Sequence, residues 1–416
     1  MAISIASEPN TGDLIAAYIA NANDFEVDVT VSTGELPPKI KTTVYGYKIG
    51  TGTVIHTSNE LQHEYNSLAT LTYTFNVDVS GRLQAFFDNL NLFPALDTYT
   101  SGVSDAYGID YKLEATSVRA TGADDTYQDV ATVSSSAITS VNAYRDLSKT
   151  QNMDSYDANT TNPHSFFTNK PDLSVVDYST NEFLLVHDAN SCYRVQVQFY
   201  TGVLDTTPAA TREFFITGTT VGENNTGKIG IVGIGPVNID AVGAAGRFVS
   251  GAAVPMESNG IKKYDIIVQD SGPTQVSLQR TYYVQACNPI YRIHFVNQLG
   301  GIDSLLVSRY KNETTRFDGT NYATPKTSAN TAHESGVQVL QKVGTQGIAF
   351  KMVVTQEEME WLRQLALSPA VRLEKDGAYI SIVVTKAEFT PDDDLGQTYT
   401  LDFEAEYSNR IEGLRN

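Results

Sequence analysis

The chain has 416 residues, 41% hydrophobic and 19% charged, with 23 Tyr and 17 Phe against one Trp, a globular composition tilted toward strand formers that excludes disorder of the whole chain. Its length exceeds one ordinary β-sandwich and predicts two to four domains. With 29 Lys+Arg against 48 Asp+Glu the net charge is −19, which excludes phosphate backbones as natural partners, because their binding rests on Lys and Arg.

From the N-terminus, Met1 to Pro9 has neither a basic start nor a long apolar run, so no secretory signal is expected there. Leu14 to Ala20 and Ile229 to Val237, the most apolar stretches, fall far short of the ~20 residues of a bilayer helix. The expectation is a protein that folds in a cytoplasm without a membrane span.

Period-two alternation then dominates, placing alternate side chains on opposite faces of a sheet. Phe25-Glu-Val-Asp-Val-Thr-Val31 alternates without a fault, as do Leu71–Val79, Tyr193–Phe199 and Tyr399–Tyr407. Weaker strands are predicted at Thr43–Ile49, Tyr111–Val118, Phe183–His187, Tyr264–Val268, Gln275–Val284, Tyr291–Val296 and Ala378–Thr385. Two segments carry helical spacing instead. In Ser80–Leu90 the residues Leu83, Phe86, Phe87 and Leu90 form one stripe, with Asp78 or Ser80 as cap. In Val354–Leu367, Thr355 and Glu358 make a capping box, and Met359, Trp361, Leu362, Leu365 and Ala366 give the buried face, ended by Ser368-Pro369.

The predicted fold is therefore mainly β: several antiparallel β-sandwich or barrel-like domains with two short amphipathic helices, about 80–90 and 356–367. Three blocks are expected, 1–125 with one helix, 126–289 with long polar loops, and 290–416 with the second helix. From Ile290 onward 13 basic residues meet 17 acidic ones, net −4, leaving −15 upstream. The polar stretches Thr121–Tyr127, Gln151–Asn162, Gly218–Gly227 and Asn312–Glu334 exceed ordinary loop lengths and are read as contact surfaces.

Catalytic signatures are missing. No Gly-x-Ser-x-Gly elbow is present, and the histidines (His56, His63, His164, His187, His294, His333) stand singly without a metal-binding i, i+4 pair. His187-Asp188 and His294 could in principle meet in space, but satisfied strand histidines are the better reading. Gly230-Ile-Val-Gly-Ile-Gly235 lacks the glycine order of a dinucleotide fingerprint, and Pro236 is expected to stop the chain from entering a helix. Asp392-Asp-Asp394 lacks calcium-loop spacing and reads as a solvated turn. Cys192 and Cys287 lie too far apart for a zinc module and read as two buried thiols. No catalytic, metal or cofactor-binding residue is assigned, and no cofactor is expected. The tyrosines, among them Tyr73, Tyr193 and Tyr399, read as core and interface packing.

The segment Cys287-Asn-Pro-Ile-Tyr-Arg-Ile-His-Phe-Val-Asn-Gln-Leu-Gly-Gly-Ile-Asp-Ser304 resembles a motif of tail proteins from phages and prophages of Bacteroidota, where a strand runs into Asn-x-x-Gly-Gly-x-Asp. This chain carries Asn297, Gly300, Gly301 and Asp303 at those places, with Ile302 where the family usually has an aromatic. Gly300-Gly301 fits a tight turn with positive φ, and Asp303 is expected to bond back to its amides. Val354–Pro369, with Trp361 and Pro369, is similar to the family's helix, Ser-Pro and two strands, with Asp376-Gly377 as hairpin turn. Phe75–Leu90, Phe166–Pro171 and Ile234–Ile239 resemble further segments of it.

The resemblance implies a virion structural protein of a tailed phage, in the distal tail or baseplate, with no catalytic residues to carry over. The partners implied are copies of the chain in a ring, built through the block from about Asn288, and neighbouring tail or connector proteins. A connector ring at the head–tail junction is one alternative. Another is a receptor- or carbohydrate-binding module that touches a host surface glycan through loop residues such as Tyr322. A polysaccharide or cell-wall hydrolase is the remote third.

Overall fold

The computed structural model describes residues 1–9, 14–16, 24–33, 37–48, 52–87, 93, 96, 100–101, 108–120, 127–141, 143, 165–188, 194–216, 228–249, 251–270, 272–286, 291–307, 312–323, 337–375, 377–392, 397–408 and 411–412. The protein is mainly β, with several mostly antiparallel sheets and three short helices among those residues. It divides into two compact units, Met1–Gln285 with Asn297–Asp303, and Ala286–Val296 with Ser304–Asn416. Of the two expected boundaries, Asn288-Pro289 lies beside this division, whereas Asp125 lies outside the described residues and marks no unit limit.

In the first unit, β1 (Ala2–Ser7), β3 (Asp24–Thr30), β8 (Thr72–Asp78) and β7 (Ser67–Ala69) form one sheet in that order. A second runs β2 (Leu14–Ala16), β12 (Ile138–Val141), β10 (Gly108–Ala120), β4 (Lys39–Tyr47) and β5 (Val54–Thr57), with β11 (Tyr127–Ser134) on β10 and β6 (Leu61–His63) on β4. Alternation decides the faces: Phe25, Val27 and Val29 are buried with Phe75 and Val77, against Val44, Tyr111 and Leu113 of the second sheet. Helix α1 (Ser80–Phe87) adds Leu83, Phe86 and Phe87 to that core, and Asp78 Oδ1 accepts from Ser80 N at 2.8 Å at its start. Leu90, expected on the same stripe, lies outside the described residues.

The same unit holds a five-stranded sheet, β13 (Ser174–Val176), β19 (Arg280–Val284), β18 (Lys263–Gln269), β15 (Arg194–Tyr200) and β16 (Ala210–Phe215). A three-stranded sheet joins β14 (Phe183–Asp188), β17 (Lys228–Gly233) and β9 (Thr100–Ser101). Phe183 to Val186 are all buried, the pattern of a strand covered on both faces. Contrary to expectation a third helix, α2 (Pro236–Ala244), follows β17 with Pro236 at its first turn. Proline ends a helix from within, but at the first position its missing N–H is an orphan anyway and its fixed φ favours the start.

The second unit is one eight-stranded sheet: β21 (Ile302–Val307), β20 (Tyr291–Val296), β24 (Val371–Lys375), β25 (Ala378–Pro391), β26 (Thr398–Tyr407), β23 (Val337–Thr355) and β22 (Asn312–Ala323), with β27 (Ile411–Glu412) on β23. Helix α3 (Gln356–Leu367) packs Met359, Trp361, Leu362 and Leu365 on Phe350, Leu401 and Phe403. Its capping box forms as the spacing predicts: Glu358 N donates to Thr355 Oγ1 and Thr355 N to Glu358 Oε2, worth about 1 kcal/mol. Ala366, expected on the buried face, is exposed, and Gln364 is buried in its stead. Asn312–Glu334, read as a loop, begins as strand: Asn312–Ala323 pairs with Val337–Ala349. The other three polar stretches lie almost wholly outside the described residues, as do Cys192 and Cys287.

Candidate functional site

Three groups of side chains concentrate the polar chemistry. The first is built around the turn between β20 and β21. Gly300 takes φ 83°, the left-handed turn expected of it. Gly301 is required for a different reason: a Cβ there would stand 2.1 Å from Phe167 O. The turn is closed by Asn297, whose Oδ1 accepts from Leu299 N at 2.9 Å and Gly301 N at 3.0 Å while its Nδ2 donates to Phe167 O at 2.8 Å. Asp303 reaches out of the turn as well: its Oδ1 accepts from Thr168 Oγ1 at 2.6 Å, while Asn297 takes the amides of Leu299 and Gly301.

Beside Thr168 the chain buries an ion pair. Lys170 Nζ donates to Glu182 Oε1 at 2.7 Å, with only 5% and 2% of the two side chains exposed. Arg280 donates through Nη2 to Lys170 O at 2.8 Å and through Nε to Tyr282 Oη at 2.8 Å. Burial pushes the Glu182 carboxyl above the usual carboxylate range, against the pull of Lys170. The phenols of Tyr264 and Tyr282 are raised by burial as well, each further by the charge of Glu182. Burial alone would weaken the Arg280 charge, but Tyr282, Asp303 and Glu182 outweigh it and hold the guanidinium more firmly protonated. None of this is a cleft: the members occupy one another.

The second group lies in the second unit. His294 Nδ1 is 2.8 Å from Ser304 Oγ, and His294 Nε2 is 3.0 Å from Glu374 Oε2. Arg292 Nη1 donates to Glu374 Oε1 at 3.3 Å, and the Tyr379 ring stands edge-on to the imidazole. A carboxylate only accepts, so Nε2 carries a hydrogen toward Glu374, and Nδ1 shares a hydrogen bond with the Ser304 hydroxyl. Serine, histidine and carboxylate are in contact as in a hydrolase, yet the ring is turned. A triad presents Nε2 to the serine and Nδ1 to the acid. Ser304 is moreover 1% exposed and His294 fully buried, so no substrate carbonyl reaches the hydroxyl. The chain of bonds ties β20 to β21 and β24.

The third group is exposed. On the face of the second unit's sheet opposite α3, Asp402 Oδ2 receives Lys386 Nζ at 2.7 Å and Lys351 Nζ at 3.1 Å. The two ammonium groups hold the Asp402 carboxyl below its ordinary range.

Of the other residues singled out in the sequence, Trp361 is buried in α3 against Phe295, and Pro369 is exposed after the helix. Tyr322 lies in β22 opposite Gln338. Sequence reasoning missed Lys170, Glu182, Arg280, Ser304 and Glu374. Isolated charges inside apolar strands were the available signal, as in Asn181-Glu-Phe-Leu-Leu-Val186 and Gln279-Arg-Thr-Tyr-Tyr-Val284. His294 stands apart from His187, whose side chain lies outside the described set; its partners are Ser304 and Glu374.

The Gly230–Gly235 run is also explained. Gly235 lies against backbone, where a Cβ would meet Thr180 O at 2.4 Å and Glu182 N at 2.5 Å. The amides at the start of α2 are spent inside the protein, Gly235 N on Glu182 O and Val237 N on Thr180 O, so they leave no phosphate cradle. Among the described residues no group of three or more His, Cys, Asp or Glu is set to hold a metal ion, and no helix is long and apolar enough to cross a membrane. Comparison with protein-family models and with curated proteins finds no match for the chain.

Proposed function

We propose that the chain is a non-enzymatic structural subunit of a bacteriophage tail that assembles with copies of itself into a ring. The observation that carries this reading is the edge of the second unit. Strand β22 ends the eight-stranded sheet, and its hairpin with β23 outruns the sheet that anchors it. Within β23, β26 pairs only Gly347–Thr355, while β22 pairs Val337–Ala349. Beyond β27, which pairs Val343 and Gly344, the arm has no further strand beside it among the described residues. A two-stranded ribbon is marginal in water, and its outer N–H and C=O groups are a template for another chain. A second copy satisfies both needs, and a heterologous contact that closes makes a ring. The resemblance of Cys287–Ser304 to phage tail proteins supports the location, and the inward-turned Ser304–His294–Glu374 chain supports a role without turnover.

Mass photometry and electron microscopy of the purified protein test the reading. Rings are expected from the intact chain. Replacing residues 318–341 by a short glycine-containing turn is expected to give monomers that keep the unfolding transition of the core. Monomers alone from the intact chain at high concentration, together with absence from purified virions, would sink the proposal. Antibody label at the head–tail junction instead of the tail would make the ring a connector.

A further inference from the structure

Two buried oxygen atoms of the first unit, Glu182 Oε2 and Tyr264 Oη, have no hydrogen-bond partner in the protein. A buried polar atom left so forfeits its hydration with nothing in exchange. They belong to one neighbourhood. Tyr264 lies directly opposite Tyr282 across β18 and β19, and the two rings stack at 5.2 Å and 16°, so both phenols stand on the same face of the sheet. Tyr282 Oη already accepts from Arg280 Nε at 2.8 Å, and its own proton still needs an acceptor. The same arginine leads to Glu182: Arg280 Nη2 donates to Lys170 O at 2.8 Å and Lys170 Nζ to Glu182 Oε1 at 2.7 Å, and the charge of Glu182 acts on both phenols.

What these atoms require is chemically narrow. The missing partner must accept from a phenol O–H and donate to a carboxylate oxygen. An alkali cation or an ammonium ion does not accept from a phenol, and a halide does not donate to a carboxylate. Charge argues the same way: Lys170 and Arg280 balance Glu182 and Asp303, all buried, so the cluster attracts no further ion.

We propose that one water molecule binds between Tyr264 Oη, Tyr282 Oη and Glu182 Oε2 as a fixed part of the fold, accepting from both phenols and donating to the carboxylate. Three hydrogen bonds are the usual complement of a buried water. It joins β18 and β19 to the start of β14 at the point where Lys170 and Arg280 join the same elements, and it does so whatever the function of the chain.

A crystal structure of the full chain that resolves ordered solvent tests this. A solvent peak within hydrogen-bonding distance of both Tyr264 Oη and Glu182 Oε2 is the expected result. Empty density there, or Tyr264 Oη bonded directly to a protein acceptor, would overturn it. Crystals soaked in rubidium and in bromide supply the second arm. No anomalous signal is expected at the position, and a peak for either ion would make the site an ion site and refute the water.

Discussion

The Lys170–Glu182 pair of the first unit and the Lys386–Asp402 pair of the second are built from the same chemistry, each with a 2.7 Å contact. Their surroundings are opposite. The first exposes 5% and 2% of its side chains, the second 37% and 21%. In water an ion pair exchanges hydration for contact at little net gain, whereas in the interior each partner depends on the other for most of its solvation. Distance alone therefore says nothing of what a salt bridge contributes.

The sharpest way to break the comparison is Glu182→Gln, which removes from the interior the carboxylate that the Lys170 ammonium meets at 2.7 Å. Denaturant unfolding is expected to show a loss of about 3–5 kcal/mol. The double replacement Lys170→Met with Glu182→Leu is expected to recover most of it, since a buried pair is often matched by apolar packing of similar volume. A double variant as unstable as the single would show that the pair stabilises by more than mutual compensation.

Next in size is Gly301→Ala beside the same cluster. Its Cβ would meet Phe167 O at 2.1 Å and Asn297 Nδ2 at 3.0 Å, and neither side of a hydrogen-bonded turn yields freely. A loss of about 1–3 kcal/mol is expected, read as a lower denaturation midpoint at unchanged slope. A neutral result would place the turn elsewhere.

A half-buried contact between an imidazole and a guanidinium sharpens the comparison from between its extremes. His63 Nε2 lies 2.7 Å from Thr42 Oγ1 and 3.2 Å from Arg82 Nη2. Burial, then the Arg82 charge, lowers the histidine below its ordinary value of 6.5. The unfolded chain thus takes up the proton first as pH falls. The stabilisation is complete above about pH 6.5 and drains away as pH drops toward the folded value. Thermal melts between pH 7.5 and 5.5 are expected to fall, and His63→Gln to flatten that slope.

The smallest effect belongs to Asp402→Asn. Cut from the exposed ladder, it is expected to shift the melting temperature little, and less still in high salt. A shift rivalling that of Glu182→Gln would overturn the contrast.

Local pattern alone determined the strands that alternate. In Phe25–Val31 and Tyr399–Tyr407 every second side chain is apolar, and one buried face follows from the pleat. The helix at Gln356 was equally legible, because Thr355 and Glu358 satisfy its first amides without help from elsewhere. Helix α2 was not: its stripe is short, and Pro236 reads as a stop until β17 is seen to deliver it at a helix start. The polar clusters lay furthest from sight. Glu182 and Arg280 are 98 positions apart, and Ser304, His294 and Glu374 span 80. Sheet order brings such residues together, through pairings such as β20 with β24. Alternation names the face a side chain takes; only the arrangement of strands decides which distant side chain it meets there.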